Sequence, residues 1–90
     1  MGYSEEFKQV LLNDPHCHLG KKGITNEFID YLNKLLRRHK IIKIKALSSI
    51  ATKLNIKELA SKIAEKTNSH LLDVRGKMII ISKSQIDKRT

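Results

Sequence analysis

The sequence predicts an α/β (α+β) two-layer sandwich, built in the order α-β-α-β-α-β-β around a four-stranded mixed sheet. Three observations predict it. Ninety residues with 40% apolar content are enough for one core and too few for two. Stretches with apolar residues three and four apart alternate with short runs of period two or of unbroken isoleucine. Near the C-terminus two β-rich runs flank Gly76, the mark of a tight hairpin, which adds antiparallel pairing to a sheet otherwise made by crossovers.

The first helix begins at Ser4, a good cap, with Glu5 and Glu6 favourably placed in its first turn. Phe7, Val10 and Leu11 give it one apolar face, and Asn13-Asp14-Pro15 ends it because the residue before proline is pushed out of the α region. Pro15 to Leu19 reads as a brief strand with Cys17 and Leu19 inward and His16 and His18 outward. Thr25 caps a helix running to about His39, whose buried stripe is Phe28, Leu32, Leu35 and Leu36 with Ile29 at its edge. Arg37, Arg38, His39 and Lys40 crowd its end, where each cation offsets the helix dipole by roughly 0.3–1 kcal/mol.

Ile41 to Leu47 is the clearest strand, with Ile42, Ile44 and Ala46 on one face and Ile41, Lys43 and Lys45 on the other. Residues 48–54 are a loop or the first turn of the next helix. Asn55-Ile56-Lys57-Glu58 has the form of a capping box, and Leu59, Ala60, Ile63 and Ala64 make the inward stripe of a helix that Thr67-Asn68-Ser69 ends. In the hairpin Leu72 and Val74 face in, leaving Leu71, Asp73 and Arg75 out. The last strand, within Lys77 to Lys83, is apolar on both faces and is therefore central or covered by the first helix. Residues 1–83 form a single domain, followed by a polar tail over 84–90.

Eighteen Lys and Arg against nine Asp and Glu leave a net charge of +9. A small, strongly basic domain most often meets a polyanion, and nucleic acid is the commonest one. The plainer account, lysines kept for solubility or reflecting a heat-adapted or AT-rich source, fits the charge equally well. A single cysteine allows no internal disulfide framework and suits a reducing compartment. Residues 1–13 contain no apolar signal segment, and the longest apolar run, Met78 to Ile81, is far too short to span a membrane. A cytoplasmic protein is expected.

Chemistry concentrates at Leu19-Gly20-Lys21-Lys22-Gly23-Ile24-Thr25, where the first strand gives way to a helix. Gly20 and Gly23 permit a tight turn and a close backbone approach, and Gly20→Ala should impair binding wherever Gly20 has positive φ. Lys21 and Lys22 add charge, and the helix begun by Thr25 adds unpaired N–H groups with a positive partial charge. Those ingredients suit a phosphate. A lone G-x-x-G is usually an ordinary turn, so the weight comes from the joint setting. His18, Lys43, Lys45 and Arg75 extend the candidate surface over the sheet face opposite the two main helices, with Lys45 nearer the turn than Lys43. No aromatic sits there, which points to backbone and shape recognition. Arg37 and Arg38 are roughly 20 Å along the helix, so they complete its end or meet a more distant phosphate.

Enzymatic readings find little support. No nucleophile elbow, HExxH helix or Walker loop is present, since only two residues separate the glycines of the turn. His16-Cys17-His18 gives an ion at most two ligands from one strand face, and His39 and His70 are remote in sequence. No metal, cofactor or small-molecule substrate is expected.

The turn, the strand Ile41-Ile42-Lys43-Ile44-Lys45, Glu58-Leu59-Ala60 and Leu72-Asp73-Val74-Arg75-Gly76-Lys77 together resemble the CRM domain, the YhbY-like family, over about Pro15 to Lys83. The resemblance implies an RNA-binding module whose GxxG loop contacts RNA. It also implies a fold similar to the C-terminal domain of bacterial translation initiation factor three. It further implies the stand-alone type, associated with ribosomal RNA and assembly of the large ribosomal subunit. Two departures are the short first helix, which holds acidic residues where the family commonly has a longer basic one, and His16 and His18 in the first strand. The expected function is non-enzymatic RNA binding through Gly20, Lys21, Lys22, Gly23 and Thr25, with Lys45, Lys43, His18 and Arg75 in support. The alternatives are a chromatin protein of the Alba type coating DNA or RNA, disfavoured by so tight a hairpin, and a basic adaptor for an acidic protein.

Overall fold

A computed structural model describes residues 5–47 and 55–83, the side chains of 5–7 excepted. The Ser4 cap, the segment 48–54 and the tail 84–90 lie outside the described residues. Seven elements follow in the expected order: α1 (Glu5–Leu12), β1 (Cys17–Leu19), α2 (Asn26–Arg38), β2 (Ile41–Ala46), α3 (Ile56–Lys66), β3 (His70–Arg75) and β4 (Met78–Ser82).

The sheet order is β1-β2-β4-β3, with β1 and β2 parallel and β4 antiparallel to both of its neighbours. The last strand therefore sits between β2 and β3. It is also covered on both sides, so the two accounts of its apolar faces hold together. Ile79 and Ile81 join Ile42, Ile44, Leu32, Ala60 and Ile63 in the core beneath α2 and α3, and Ile80 joins Val10, Ile41 and Leu72 under α1. At about 1.5–3 kcal/mol for each fully buried isoleucine or leucine side chain, the larger cluster dominates the stability.

The amphipathic stripes decide which face each helix buries. Leu32 and Leu36 are buried along α2, with Phe28, Ile29 and Leu35 half-buried against the same cluster. In α3 the buried positions are Ile56, Ala60, Ile63 and Ala64. Its start differs from the sequence expectation: Asn55 has a helical ψ of −5° and makes no side-chain capping bond. A capping side chain needs an extended backbone at that position to reach back to the helix, and Asn55 lacks it. The other end is firmly closed. Asn68 takes φ +51°, its N–H donates to the Glu65 carbonyl, and the Ser69 N–H donates to that of Ala64, a Schellman arrangement.

One strand departs from simple alternation. Leu71 pairs with Ile81 but Asp73 pairs with Ile80, so β3 carries a bulge at Leu72. The extra residue shifts the phase, sending Leu72 to the α1 side while Val74 packs towards α2 and α3. Leu72 and Val74, expected on one face, are thus split between two.

Candidate nucleic-acid interface

The Gly20 carbonyl accepts the Gly23 N–H at 2.9 Å, closing a four-residue turn with Lys21 and Lys22 exposed at its corners. Both sides of the turn are anchored. Leu19 before it is fully buried and accepts the Leu47 N–H at 3.1 Å, and Ile24 after it packs on the main core. Thr25 then caps α2 as its sequence position predicts, its Oγ1 accepting the Phe28 N–H at 3.0 Å. The remaining first-turn N–H groups of α2 have no intrahelical acceptor and open beside the turn. Exposed Glu27 sits in that same first turn, where it favours the helix and opposes an incoming anion.

The glycines do not share the strain equally. Gly23 has φ +74°, whereas Gly20 lies outside the positive-φ region and a Cβ on it would meet nothing within 4 Å. The conformational reason attached to Gly20 therefore belongs to Gly23. Gly23→Ala is expected to cost about 1–2 kcal/mol of stability, with Gly20→Ala close to neutral. Urea midpoints of the two variants check this, and equal midpoints would contradict it.

Register carries the surface outward from the turn. His18 pairs with Lys45, Lys45 with Met78 and Met78 with Arg75, so these four form one row across all four strands. Paired residues share a sheet face, and His18, Lys45 and Arg75 are exposed. The row runs beside the turn, since Leu19 and Gly20 follow His18 directly. The two-residue hairpin loop, Gly76 and Lys77, closes at the same end, where the Lys77 carbonyl accepts the Ala46 N–H at 2.9 Å. Lys77 is a basic residue of this edge that strand alternation did not single out, because it sits in the loop. Arg75 is partly neutralised: its Nε donates to Asp73 Oδ2 at 2.6 Å.

Lys43 stands apart from the row. It lies on the expected face but is only 8% exposed. Its Nζ donates to the carbonyls of Leu11 at 2.9 Å and Asn13 at 3.0 Å, so it closes the C-terminal end of α1. Strand periodicity gave its face correctly. It could not show that α1 would fold over that half of the face. Lys43 therefore leaves the candidate surface.

At the other end of β1, His16 and His39 meet with ring centroids 4.7 Å apart, although they are distant in sequence. His16 Nδ1 accepts the Lys43 N–H at 2.9 Å, an acceptor role open only to neutral imidazole. Burial, followed by electrostatic interaction with His39 and Lys43, holds its pKa below the ordinary 6.5. A depressed histidine pKa means the unfolded chain takes up protons first. The stability this group supplies is present above about pH 6.5 and falls away as pH drops through the lower folded value. The expected result is a loss of stability from pH 7 towards pH 5 that is smaller in His16→Asn, whose amide oxygen can still accept the Lys43 N–H. Denaturant midpoints across that range test it, and identical slopes for both proteins would refute it. Burial pushes the neighbouring Cys17 thiol up to about 12, leaving it protonated and unreactive at neutral pH. Among the described residues no group of three or more His, Cys, Asp or Glu could hold a metal ion. Nor is any helix of these residues long and apolar enough to cross a membrane.

Comparison with known proteins bears on this geometry. The domain model described as CRS1 / YhbY (CRM) matches residues 7–83. The chain belongs to the CRM domain family. The CRM assignment agrees with a solved structure, the solution structure of a hypothetical Staphylococcus aureus protein proposed to bind RNA. It is 29% identical, with a TM-score of 0.73, and the match covers 92% of this chain and 84% of that one. No curated protein matches the chain.

Proposed function

We propose that residues 1–83 act as one RNA-binding module without catalytic activity. Gly20, Lys21, Lys22, Gly23 and the Thr25-capped start of α2 hold a backbone phosphate, while Lys45, His18 and Arg75 extend the contact across the sheet. The observation that carries this reading is the cross-strand row His18–Lys45–Met78–Arg75 beside the two-lysine turn, which joins the loop to exposed polar and basic residues of the sheet. Membership of the CRM family and the RNA-binding proposal attached to the similar staphylococcal protein support RNA over other polyanions. Ribosomal RNA in the assembling large subunit, in the cytoplasm, is the finer reading, supported by what the CRM resemblance implies.

Titration of single-stranded RNA, a large-subunit RNA fragment, duplex DNA and an acidic polypeptide at several salt concentrations tests it. Log affinity for RNA is expected to fall linearly with log salt and to exceed that for the other two polymers. Preference for duplex DNA would favour a chromatin-coating protein, and preference for the polypeptide an adaptor. Crosslinking in cells followed by sequencing tests the ribosomal assignment, which an absence of ribosomal RNA would overturn.

A further inference from the structure

We propose that the cleft between α1 and the C-terminal end of α2 holds one unstacked nucleotide of a bound RNA strand, its base against the His39 ring and its phosphate at Arg38. The cleft has a volume of about 440 Å³, and its lining joins apolar, imidazole and cationic side chains to the amides of Gln9 and Asn13. Val10 and Ile41, 9% and 3% exposed, give it an apolar floor. His39 is solvent-exposed and leans on His16 at an interplanar angle of 47°, which steadies a flat ring at the wall. Arg38 and Lys40, both exposed, stand at the rim. A nucleotide offers the complementary set: a flat apolar face, polar edges and an anion. Single-stranded RNA is commonly read through bases splayed onto aromatic or histidine rings. An acidic peptide would use the cations and leave the floor and ring without a partner.

Position favours the same occupant. His16 and Gly20 lie four residues apart along β1, about 13 Å at roughly 3.3 Å per residue. β1 is an edge strand of the sheet, and exposed His18 stands midway along it on the face that β-alternation assigns to His16. One strand of a few nucleotides can therefore run from the cleft along β1 to the turn. This site takes RNA binding as given and adds what the turn lacks, a place for a base.

The test compares His39→Ala, His39→Phe, Arg38→Gln and the double variant Lys21→Ala/Lys22→Ala, against a single-stranded decaribonucleotide and against inorganic polyphosphate. His39→Ala is expected to weaken RNA binding about fivefold or more and to leave polyphosphate binding unchanged. His39→Phe should restore the RNA affinity, and Arg38→Gln should weaken both ligands. Adenosine monophosphate should shift the amide signals of Val10, His39 and Ile41. If His39→Ala binds RNA normally while the double-lysine variant fails, the cleft proposal is overturned and the turn stands. If the cleft variants fail and the double-lysine variant does not, the turn reading falls and the cleft stands. A loss in His39→Ala that phenylalanine does not restore reports packing on His16 and also overturns the proposal.

Discussion

Replacing Lys21 and Lys22 together with alanine is expected to weaken RNA binding by about tenfold at low salt. The slope of log affinity against log salt should become shallower by about 0.7 for each single-strand phosphate that the variant no longer neutralises. Both side chains are exposed at the corners of a turn that the backbone closes by itself, so the fold should survive. Circular dichroism and the denaturation midpoint establish that it has. Unchanged affinity and slope in a folded variant would remove the turn from the binding surface. The affinity and the slope must move together, because a lysine acting on a phosphate does so by displacing counterions.

The second large effect separates two lysines that strand periodicity treats alike. Lys43→Met is expected to lower unfolding stability by about 1–3 kcal/mol, because it strips the charged donor from two carbonyls at the end of α1. RNA affinity should stay the same. Lys45→Ala should do the reverse, weakening RNA binding with little change in stability, since Lys45 is exposed in the row beside the turn. Urea denaturation and salt-resolved titration of both variants read the pair. A Lys43→Met protein of full stability, or a Lys45→Ala protein of full affinity, would contradict the division of roles.

Much of this architecture was legible because the sequence states its periods plainly. Ile42, Ile44 and Ala46 alternate with Lys43 and Lys45, and Thr25 precedes an apolar stripe at helical spacing, so β2 and α2 read directly. Other features depend on what lies across from a residue, which no local pattern records. The bulge at Leu72 is a property of two paired strands, and alternation within one of them assigned Leu72 to the wrong side. The unbroken apolar run of β4 announced a central or covered strand, but which two strands it lies between is a choice of partner that neither strand alone records. The turn was readable as a place, but not the division between its glycines, because φ at Gly20 and Gly23 is set by how the chain leaves β1 and enters α2. His16 and His39 meet only because β1 pairs in parallel with β2 and so brings His16 alongside Lys43, a fact of topology.

The central position of the last strand has a consequence for how the molecule is made. A ribosome synthesising this chain delivers β1, α2, β2, α3 and β3 before β4, yet β2 and β3 have no edge in common until β4 lies between them. Until residues 78–82 emerge, two partial units wait with open strand edges and uncovered isoleucines, the condition in which nascent chains misassociate. The same strand supplies Met78, the link that brings Arg75 into line with Lys45. The cationic row is thus completed in the same step as the core, and a chain released short of β4 would carry its charges without the surface that orders them.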